Sequence, residues 1–321
     1  MRRVRDAAGN VADYLRHGRL ADVDRLPRST VLVGTGWALH RYARLDGVDP
    51  DPDAAPVLLV PPLGAPDFAF DLRRGASLVE FLLAQGRTVE IVTYASPFWS
   101  GHRRGLEMWV DTVVPTAARA VATAAGRAVH LVGWSLGGLF VLLADAAARG
   151  DGAPLPVASL TAIASPVDVA AVPMVAPFRS VAEYTGGRIF TTAYRTLGAL
   201  PATAVRLAFQ LASVERYLTK PVTVLTHLDD RELLEQIEAV DLLMAHMTAY
   251  PGRAFGQIYH RVIRSNDLAN DRLELSGRPV HLAGITVPVL LVAGSEDVIA
   301  PRRAVARAAR SGSPTSPRPC C

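Results

Sequence analysis

The sequence predicts an α/β fold, a mostly parallel sheet with helices on both of its faces. Short apolar runs rich in β-branched residues recur along the chain, and segments with helical periodicity separate them, which is typical of βαβ units. The chain has 321 residues, half of them apolar, so it can bury a large core. One large α/β domain with a helical addition accounts for this length.

An antiparallel pair and five further strands are predicted in order along the chain. The pair occupies 31–41 and turns at Gly34-Thr-Gly36. Helical segments separate the later strands, so these strands run parallel through right-handed crossovers and form a ligand crevice at their carboxyl ends. The later strands are predicted at 57–60, 88–94, 128–133, 159–164 and 287–293, and the helices between them at 76–85, 107–125 and 139–149.

The alternation of strands and helices stops between Asp168 and about Gly284. Helical periodicity covers 202–218 and 230–247 in this region, and turn signals such as Tyr250-Pro-Gly252 follow. An all-helical insertion of this size is expected to cover the crevice as a lid or cap, although a packing subdomain without a gating role fits equally. The predicted parts are an N-terminal helical arm (1–30), a core (31–168 and 285–310), the helical cap (169–284) and a disordered tail (311–321).

Composition and charge exclude several classes of function. The net charge is only +4 and the basic residues are spread along the chain, which does not indicate a nucleic-acid-binding protein. No signal peptide and no apolar stretch of transmembrane length is recognisable, so we expect a cytoplasmic location. The two cysteines, Cys320 and Cys321, offer neither a disulfide framework nor metal-ligand spacing. No metal and no cofactor is therefore predicted.

Ser135 is the strongest candidate for a catalytic residue. It stands in Gly133-Trp-Ser-Leu-Gly-Gly138, after the apolar run 128–132 and before the helix-prone stretch 139–144. The pattern G-x-S-x-G is short enough to occur by chance, but between a strand and a helix it predicts a sharp turn that presents a nucleophile. A buried serine in a glycine-rich turn is the alternative interpretation, and the strand and helix on either side favour the nucleophile.

A serine nucleophile needs donors for the oxyanion, a base, and a group that orients the base. The backbone N–H of Leu136, the residue after the nucleophile, is the first predicted oxyanion donor. The second is expected in Pro61-Pro-Leu-Gly64, after the strand at 57–60. Because proline has no N–H, Leu63 is the predicted donor and Gly64 the second choice. A rigid turn without a catalytic role would also explain this loop.

Asp297 is the predicted acid of the site. It follows the last predicted strand and so lies at the carboxyl end of the sheet; Glu296 is more readily a solvent-facing loop residue, and Asp168 is the second choice. The alternative role for Asp297 is to cap the helix that follows. In the usual order of a triad the histidine follows the acid in the sequence. In this chain no histidine follows Asp297. All eight precede it, namely His17, His40, His102, His130, His227, His246, His260 and His281.

Several segments of the chain also carry a family resemblance. They are Val60-Pro-Pro-Leu-Gly64, 72–86, Gly133-Trp-Ser-Leu-Gly-Gly138, Ser165-Pro-Val-Asp168 and 277–288. Over about residues 30–310 the chain resembles polyhydroxyalkanoate synthases and their serine-nucleophile relatives in the α/β-hydrolase superfamily. The resemblance implies an α/β-hydrolase fold and acyl transfer from 3-hydroxyacyl-CoA. By position, it assigns the nucleophile to Ser135 and the acid to Asp297.

Two departures from the family pattern change the expected activity. Polyhydroxyalkanoate synthases use a cysteine in a G-x-C-x-G-G box, and a serine makes hydrolysis of an acyl ester or thioester more expected than polymerisation. The family histidine would follow Asp297 beyond the end of the chain, and the sequence changes character near Ser311. We therefore expect a truncated or frameshifted C-terminus that lacks the last strand and helix.

The predicted function is then a serine hydrolase with little turnover. A polyhydroxyalkanoate-synthase-like acyltransferase is the alternative, and a non-catalytic protein that binds acyl chains or a partner is the third. The expected substrate is a small acyl ester or an acyl-CoA. A homo-oligomer is compatible with the sequence, which does not determine the oligomeric state.

Overall fold

The structure is a computed structural model that describes residues 1–95, 103–175, 198–212 and 214–308. Its long strands follow the predicted order, and their boundaries differ from the prediction by a few residues. The strands are β1 Arg28–Gly34, β2 Trp37–Tyr42, β3 Val57–Val60, β4 Val89–Tyr94, β5 Val129–Trp134, β6 Val157–Ile163, β7 Ala199–Leu200, β8 Tyr250–Pro251, β9 Glu274–Leu275, β10 Arg278–Pro279 and β11 Val289–Val292.

Seven strands form the central sheet, in the order β1-β2-β4-β3-β5-β6-β11. The β1–β2 and β2–β4 pairs are antiparallel, and the pairs from β4 to β11 are parallel. The predicted α/β fold with a mostly parallel sheet is thus confirmed. The middle of the sheet is its most buried part, since Leu58, Leu59 and Val60 of β3 have no solvent-exposed surface.

The helices also follow the predicted pattern. Those between the core strands lie where the periodicity predicted them, and π-helical turns extend two of the helices, at Met108–Val113 and Ile258–Arg264. The helices are α1 Arg2–His17, α2 Leu78–Ala84, α3 Val114–Ala125, α4 Leu136–Gly150, α5 Ala202–Ala212, α6 Val214–Thr226, α7 Arg231–Ala245, α8 Gly252–Gln257 and α9 Arg302–Val305.

Two apolar clusters cover the two faces of the sheet. Leu58 and Val60 pack into the larger cluster with α3 and α4, whereas Leu59 packs into a smaller cluster with α2. Successive residues of a strand point to opposite faces, so β3 contributes to both clusters. α4 is buried at every position of 137–148, as expected for a helix that is apolar on all sides.

The region between β6 and β11 differs in one respect from the all-helical insertion predicted for it. α5, α6 and α7 are present, but two short antiparallel pairs, β7–β8 and β9–β10, accompany them. Ser276 and Gly277 connect β9 to β10 and both have positive φ angles, 53° and 76°. Two such residues in succession favour a tight hairpin, so the all-helical prediction was wrong at this point.

The predicted division into an arm, a core, a cap and a tail is not decided by these contacts. Ala254, Ile258 and Val262 belong to the same apolar cluster as the sheet, whereas the buried residues of α5 and α7 lie outside both clusters. The boundaries at 168 and 284 therefore stay a prediction. The predicted tail, 311–321, lies outside the described residues. Within the described ranges, no helix combines the length and apolarity required to traverse a bilayer.

Candidate active site

Ser135 occupies the turn between β5 and α4, as predicted from the glycine pattern. Its backbone has φ 52° and ψ −118°, a combination that L-residues seldom adopt and that costs about 1–3 kcal/mol. The surrounding backbone holds this conformation in place. The Ser135 N–H donates to the Ile163 carbonyl of β6 at 2.7 Å, and the Leu139 N–H of α4 donates to the Ser135 carbonyl at 3.2 Å.

Three glycines allow the backbone to pass this closely around Ser135. A Cβ on Gly137 would lie 2.0 Å from the Val60 carbonyl oxygen, and one on Gly133 would lie 2.3 Å from the Gly137 carbonyl oxygen. A Cβ on Gly138 would lie 2.0 Å from the Ser165 Oγ. Only glycine fits at these positions. The first turn of α4 is thereby brought against the end of β3 and the residues that follow β6.

The two predicted oxyanion donors, Leu63 and Leu136, both follow the carboxyl ends of neighbouring strands, β3 and β5. Val60 pairs with Gly133 across β3 and β5, so the loop 61–64 leaves β3 beside the turn that holds Ser135. Neither the Leu63 N–H nor the Leu136 N–H donates to any acceptor among the described residues. Both N–H groups are therefore available to a ligand, as an oxyanion hole requires.

Asp297 lies in the loop after β11, at the carboxyl end of that strand. β11 pairs with β6, and Val292 is opposite Ile163, the residue that accepts from the Ser135 N–H. The Oδ1 atom of Asp297 accepts hydrogen bonds from the N–H groups of Ile299 and Ala300, both at 2.8 Å. Asp297 therefore caps the turn that follows it, which is the alternative role predicted for it. Within the described residues, its Oδ2 atom makes no hydrogen bond.

Asp168 and Glu296 are the other two carboxylates considered from the sequence, and their surroundings differ. Asp168 accepts a hydrogen bond from the Asn266 side chain at 2.8 Å and one from the Ala170 N–H at 3.1 Å. It therefore begins the short turn Val169–Ala171 and connects it to the π-helical segment before Asn266. Glu296 is exposed, in line with a solvent-facing loop residue.

No described histidine is hydrogen-bonded to Ser135 or to Asp297. His40 lies between the hydroxyls of Thr30 and Thr93, and His130 bonds the Ser159 hydroxyl at 2.7 Å. His281 pairs with Asp271, and His17, His227 and His246 each bond a carbonyl of their own helix. Burial lowers the pKa of His40 and of His130, which favours the neutral imidazole in both. His102 lies outside the described residues.

Two tyrosines next to the loop 61–64 were not predicted. The Tyr94 hydroxyl, at the end of β4, donates to the Pro61 carbonyl at 3.0 Å, and the Tyr250 ring lies against Gly64. Burial raises the pKa of both tyrosines, which keeps both hydroxyls protonated. The sequence signal for Tyr94 was its position at the carboxyl end of a strand. Tyr250 was interpreted only as part of a turn.

The described residues contain no group of three or more His, Cys, Asp or Glu side chains that could hold a metal ion. The polar groups at the carboxyl edge of the sheet are instead a hydroxyl, backbone N–H groups and a carboxylate. This donor set suits covalent acyl chemistry, in which a nucleophile and an oxyanion hole are needed.

Comparison with curated proteins identifies relatives along most of the chain. The poly(3-hydroxyalkanoate) polymerase subunit PhaC of Cupriavidus necator is 28% identical, over 93% of this chain and 52% of that protein. The subunits of Allochromatium vinosum and Haloarcula marismortui are each 24% identical, over 91% and 88% of this chain. The chain spans 80% and 59% of their respective lengths. No protein-family profile matches the chain.

Solved structures with a similar arrangement are also α/β hydrolases by name. Mouse alpha/beta hydrolase domain-containing protein 10 has 18% sequence identity and a TM-score of 0.46, over 90% of this chain and 86% of that one. An alpha/beta hydrolase from Sphaerobacter thermophilus has 19% identity and a TM-score of 0.42, over 88% and 89%. These scores are too low to support an argument, so the fold assignment depends on the strand order and the turn at Ser135.

The resemblance predicted from the motifs is thereby confirmed. The chain is similar to polyhydroxyalkanoate synthases over about nine tenths of its length, and it has an α/β-hydrolase fold with the serine turn between β5 and α4.

Proposed function

We propose that this chain transfers acyl groups through an ester formed on Ser135, and that the acyl donor is a small ester or a thioester such as an acyl-CoA. The observation that carries the proposal is the strained turn at Ser135, beside which the N–H groups of Leu136 and Leu63 have no acceptor among the described residues. A backbone conformation that costs free energy is retained mainly where it serves a site. The overall similarity to polymerases that use acyl substrates is consistent with this chemistry.

In the proposed reaction the Ser135 Oγ attacks the acyl carbon. The oxyanion that forms is held by the N–H groups of Leu136 and Leu63, and its collapse breaks the bond to the leaving alkoxide or thiolate. The proton from Ser135 passes to that leaving group. Water then attacks the acyl-enzyme, which releases the carboxylic acid and restores the serine hydroxyl.

The proton transfers lack an imidazole base in the described part of the chain. Asp297 is the acid expected from the sequence, yet no imidazole among the described residues bonds either Asp297 or Ser135, so the proposal gives Asp297 no part in the proton transfers. In a serine protease, loss of the catalytic histidine lowers kcat by about a million-fold. We therefore propose that acylation and deacylation are both slow, so that an acyl-enzyme persists long enough to be observed.

Hydrolysis is our first candidate because the nucleophile is a serine. A second candidate is the addition of 3-hydroxyacyl groups to a growing chain, favoured by the 28% identity with a poly(3-hydroxyalkanoate) polymerase subunit. The two candidates differ in the acceptor of the acyl group, which is water in the first and a hydroxyl of another substrate in the second. Free acid and polymer are therefore the products that separate them.

Intact-mass spectrometry of the acylated protein tests the proposal. After incubation with p-nitrophenyl butyrate or 3-hydroxybutyryl-CoA, we expect one added acyl group, located on the peptide that contains Ser135. Ser135→Ala should abolish the adduct. Ser295→Ala, which removes an exposed serine near Asp297, should retain it. An adduct that survives in Ser135→Ala would refute the assignment of the nucleophile.

A further inference from the structure

The oxyanion loop, residues 61–64, is in contact with a second part of the chain besides the core sheet. Tyr94 bonds the loop from β4, at the Pro61 carbonyl. From the other side, the Thr248 N–H donates to the Gly64 carbonyl at 2.7 Å, and Tyr250 lies against the same glycine. Residues 248–250, named the clamp segment, thus connect the end of α7 to the loop that carries the Leu63 N–H.

The contact at Gly64 leaves no free space. Gly64 has φ +83°, a left-handed conformation that favours glycine. A Cβ at this position would lie 2.5 Å from the Tyr250 Cε1 atom and 3.1 Å from its hydroxyl oxygen. The edge of the ring therefore lies directly on the glycine. A movement of the Tyr250 ring would change the space available to the Leu63–Gly64 peptide.

The clamp segment is itself fixed to the rest of the molecule. Tyr250 pairs with Leu200 in the β7–β8 ladder, and its ring stacks on Phe255 of α8 with the ring centroids 6.5 Å apart. The Ala254 N–H of α8 donates to the Arg104 carbonyl at 3.0 Å. The ring is thus supported from behind by a helix that belongs to the core.

We propose that Tyr250 is a positioning residue of the oxyanion hole, and that its ring, together with the Thr248 N–H, fixes the direction of the Leu63 N–H. This inference depends on the proposed function, because it assumes that the loop binds an oxyanion. The ring edge comes closer to the Cβ position of Gly64 than the hydroxyl oxygen does, at 2.5 Å against 3.1 Å. Within the described residues, the Tyr250 hydroxyl has no hydrogen-bond partner.

The test compares two reactions of one thiol. In a Ser135→Cys background, acylation by p-nitrophenyl butyrate passes through an oxyanion, whereas alkylation by iodoacetamide is a direct displacement without one. A displaced oxyanion donor slows the first reaction only. Both rates are followed by intact mass for Tyr250→Ala, for Tyr250→Phe, and for Tyr14→Ala as a control at an exposed tyrosine of α1.

We expect Tyr250→Ala to lower the acylation rate by about 10–100-fold, since misplacing a reacting group by about 1 Å can cost about 100-fold. The alkylation rate should stay within about twofold. Tyr250→Phe should restore most of the lost acylation, because it keeps the ring. An equal fall in both rates, or no change in either, would overturn the positioning role.

Gly64→Ala tests the contact between Tyr250 and Gly64 from the glycine side. It replaces Tyr250→Ala in the test if that variant does not fold. Its Cβ would meet the ring, so acylation should fall while alkylation persists. In the double variant Gly64→Ala/Tyr250→Ala the losses should be less than additive, because the ring is no longer in the way. Full additivity would overturn the inference. If the thiol of Ser135→Cys is alkylated but never acylated, the proposed function itself is refuted, and the inference with it.

Discussion

The nucleophile and the acid predicted for this chain both lie at the carboxyl ends of strands in one sheet, but their surroundings differ. Ser135 has strands on both sides and precedes α4, which is buried over 137–148. Asp297 follows β11, the last strand of the sheet, where Val289, Leu290 and Val292 are 41–56% exposed. The position of the serine is therefore determined by many contacts, whereas that of the acid depends on a turn and one strand partner.

This difference shows which of the two candidate positions the fold specifies more strongly. The turn at Ser135 is fixed by backbone hydrogen bonds and by glycine contacts that admit no substitution. Asp297 has a complete structural explanation as a capping residue.

Two glycine substitutions provide the strongest contrast. Gly137→Ala places a Cβ 2.0 Å from a carbonyl oxygen of β3, and backbone atoms cannot move away as a flexible side chain can. We expect it to lower the free energy of unfolding by about 3 kcal/mol or more and to abolish acylation at Ser135. Urea unfolding monitored by circular dichroism, together with the mass assay, measures both effects.

The matched control is Gly294→Ala, just before Asp297. Its Cβ would lie 3.3 Å from the nearest atom, the Asp297 Cβ, and Gly294 is exposed. We expect a change in stability within about 0.5 kcal/mol. Equal losses of stability in the two variants would contradict the difference drawn between the two positions.

The variants Ser135→Cys and Ser295→Cys compare the reactivity of a thiol at the two sites. The N–H groups in the first turn of α4, next to position 135, have no partner within the helix, and helix N-termini lower the pKa of a free thiol from its value of about 8.5. At pH 8 the thiol of Ser135→Cys should be acylated by p-nitrophenyl butyrate at least about 10-fold faster than the native serine, since a thiolate needs no base. Stopped-flow release of p-nitrophenol measures the rate.

Ser295→Cys is the control for this comparison. Ser295 is exposed in the loop that contains Asp297, without an oxyanion hole beside it. Its thiol should react with iodoacetamide but be acylated more slowly than the thiol of Ser135→Cys. Acylation of the two thiols at the same rate would contradict a preorganised oxyanion hole at Ser135.

The features predicted correctly from the sequence are those set by local backbone rules. The Gly-Thr-Gly turn between β1 and β2 and the strand, turn and helix around Ser135 need only neighbouring residues to form. The contact between Tyr250 and Gly64 joins segments far apart in the chain, and nothing in either segment alone indicates it. The hairpin at Ser276 could have been found from its Ser-Gly pair.

The acid site shows a different limit of sequence reasoning. The order of strands placed Asp297 at the correct edge, because parallel strands share their carboxyl ends. Whether its carboxylate faces Ser135 or caps the next turn depends on loop conformation, which the pattern does not encode. The histidine order was the informative sequence signal, since His40, His130 and His281 make their hydrogen bonds elsewhere.

Substitutions of Asp297 separate its capping role from a catalytic one. Asp297→Ala removes the acceptor for two N–H groups, and loss of such a cap costs about 1 kcal/mol. Asp297→Asn keeps an acceptor oxygen and should preserve stability. Because no described imidazole bonds Asp297, neither variant should change the rate of Ser135 acylation by more than about threefold. A fall near 10⁴-fold in Asp297→Asn, as in a complete triad, would instead assign Asp297 to catalysis.

The smallest expected effect concerns the strand that leads to Ser135. His130 of β5 bonds the Ser159 hydroxyl at 2.7 Å, and burial, with a contribution from Arg87, lowers its pKa. The unfolded chain therefore takes up the proton first as the pH falls below about 6.5, the ordinary histidine value. The stabilisation is complete above that pH and is lost as the pH falls through the folded-state pKa. Unfolding in urea at pH 7.5 and 5.5 should show a smaller pH-dependent loss for His130→Gln than for the native chain. If His130→Gln keeps the full loss, the surroundings of His130 in β5 do not exclude the charged imidazole.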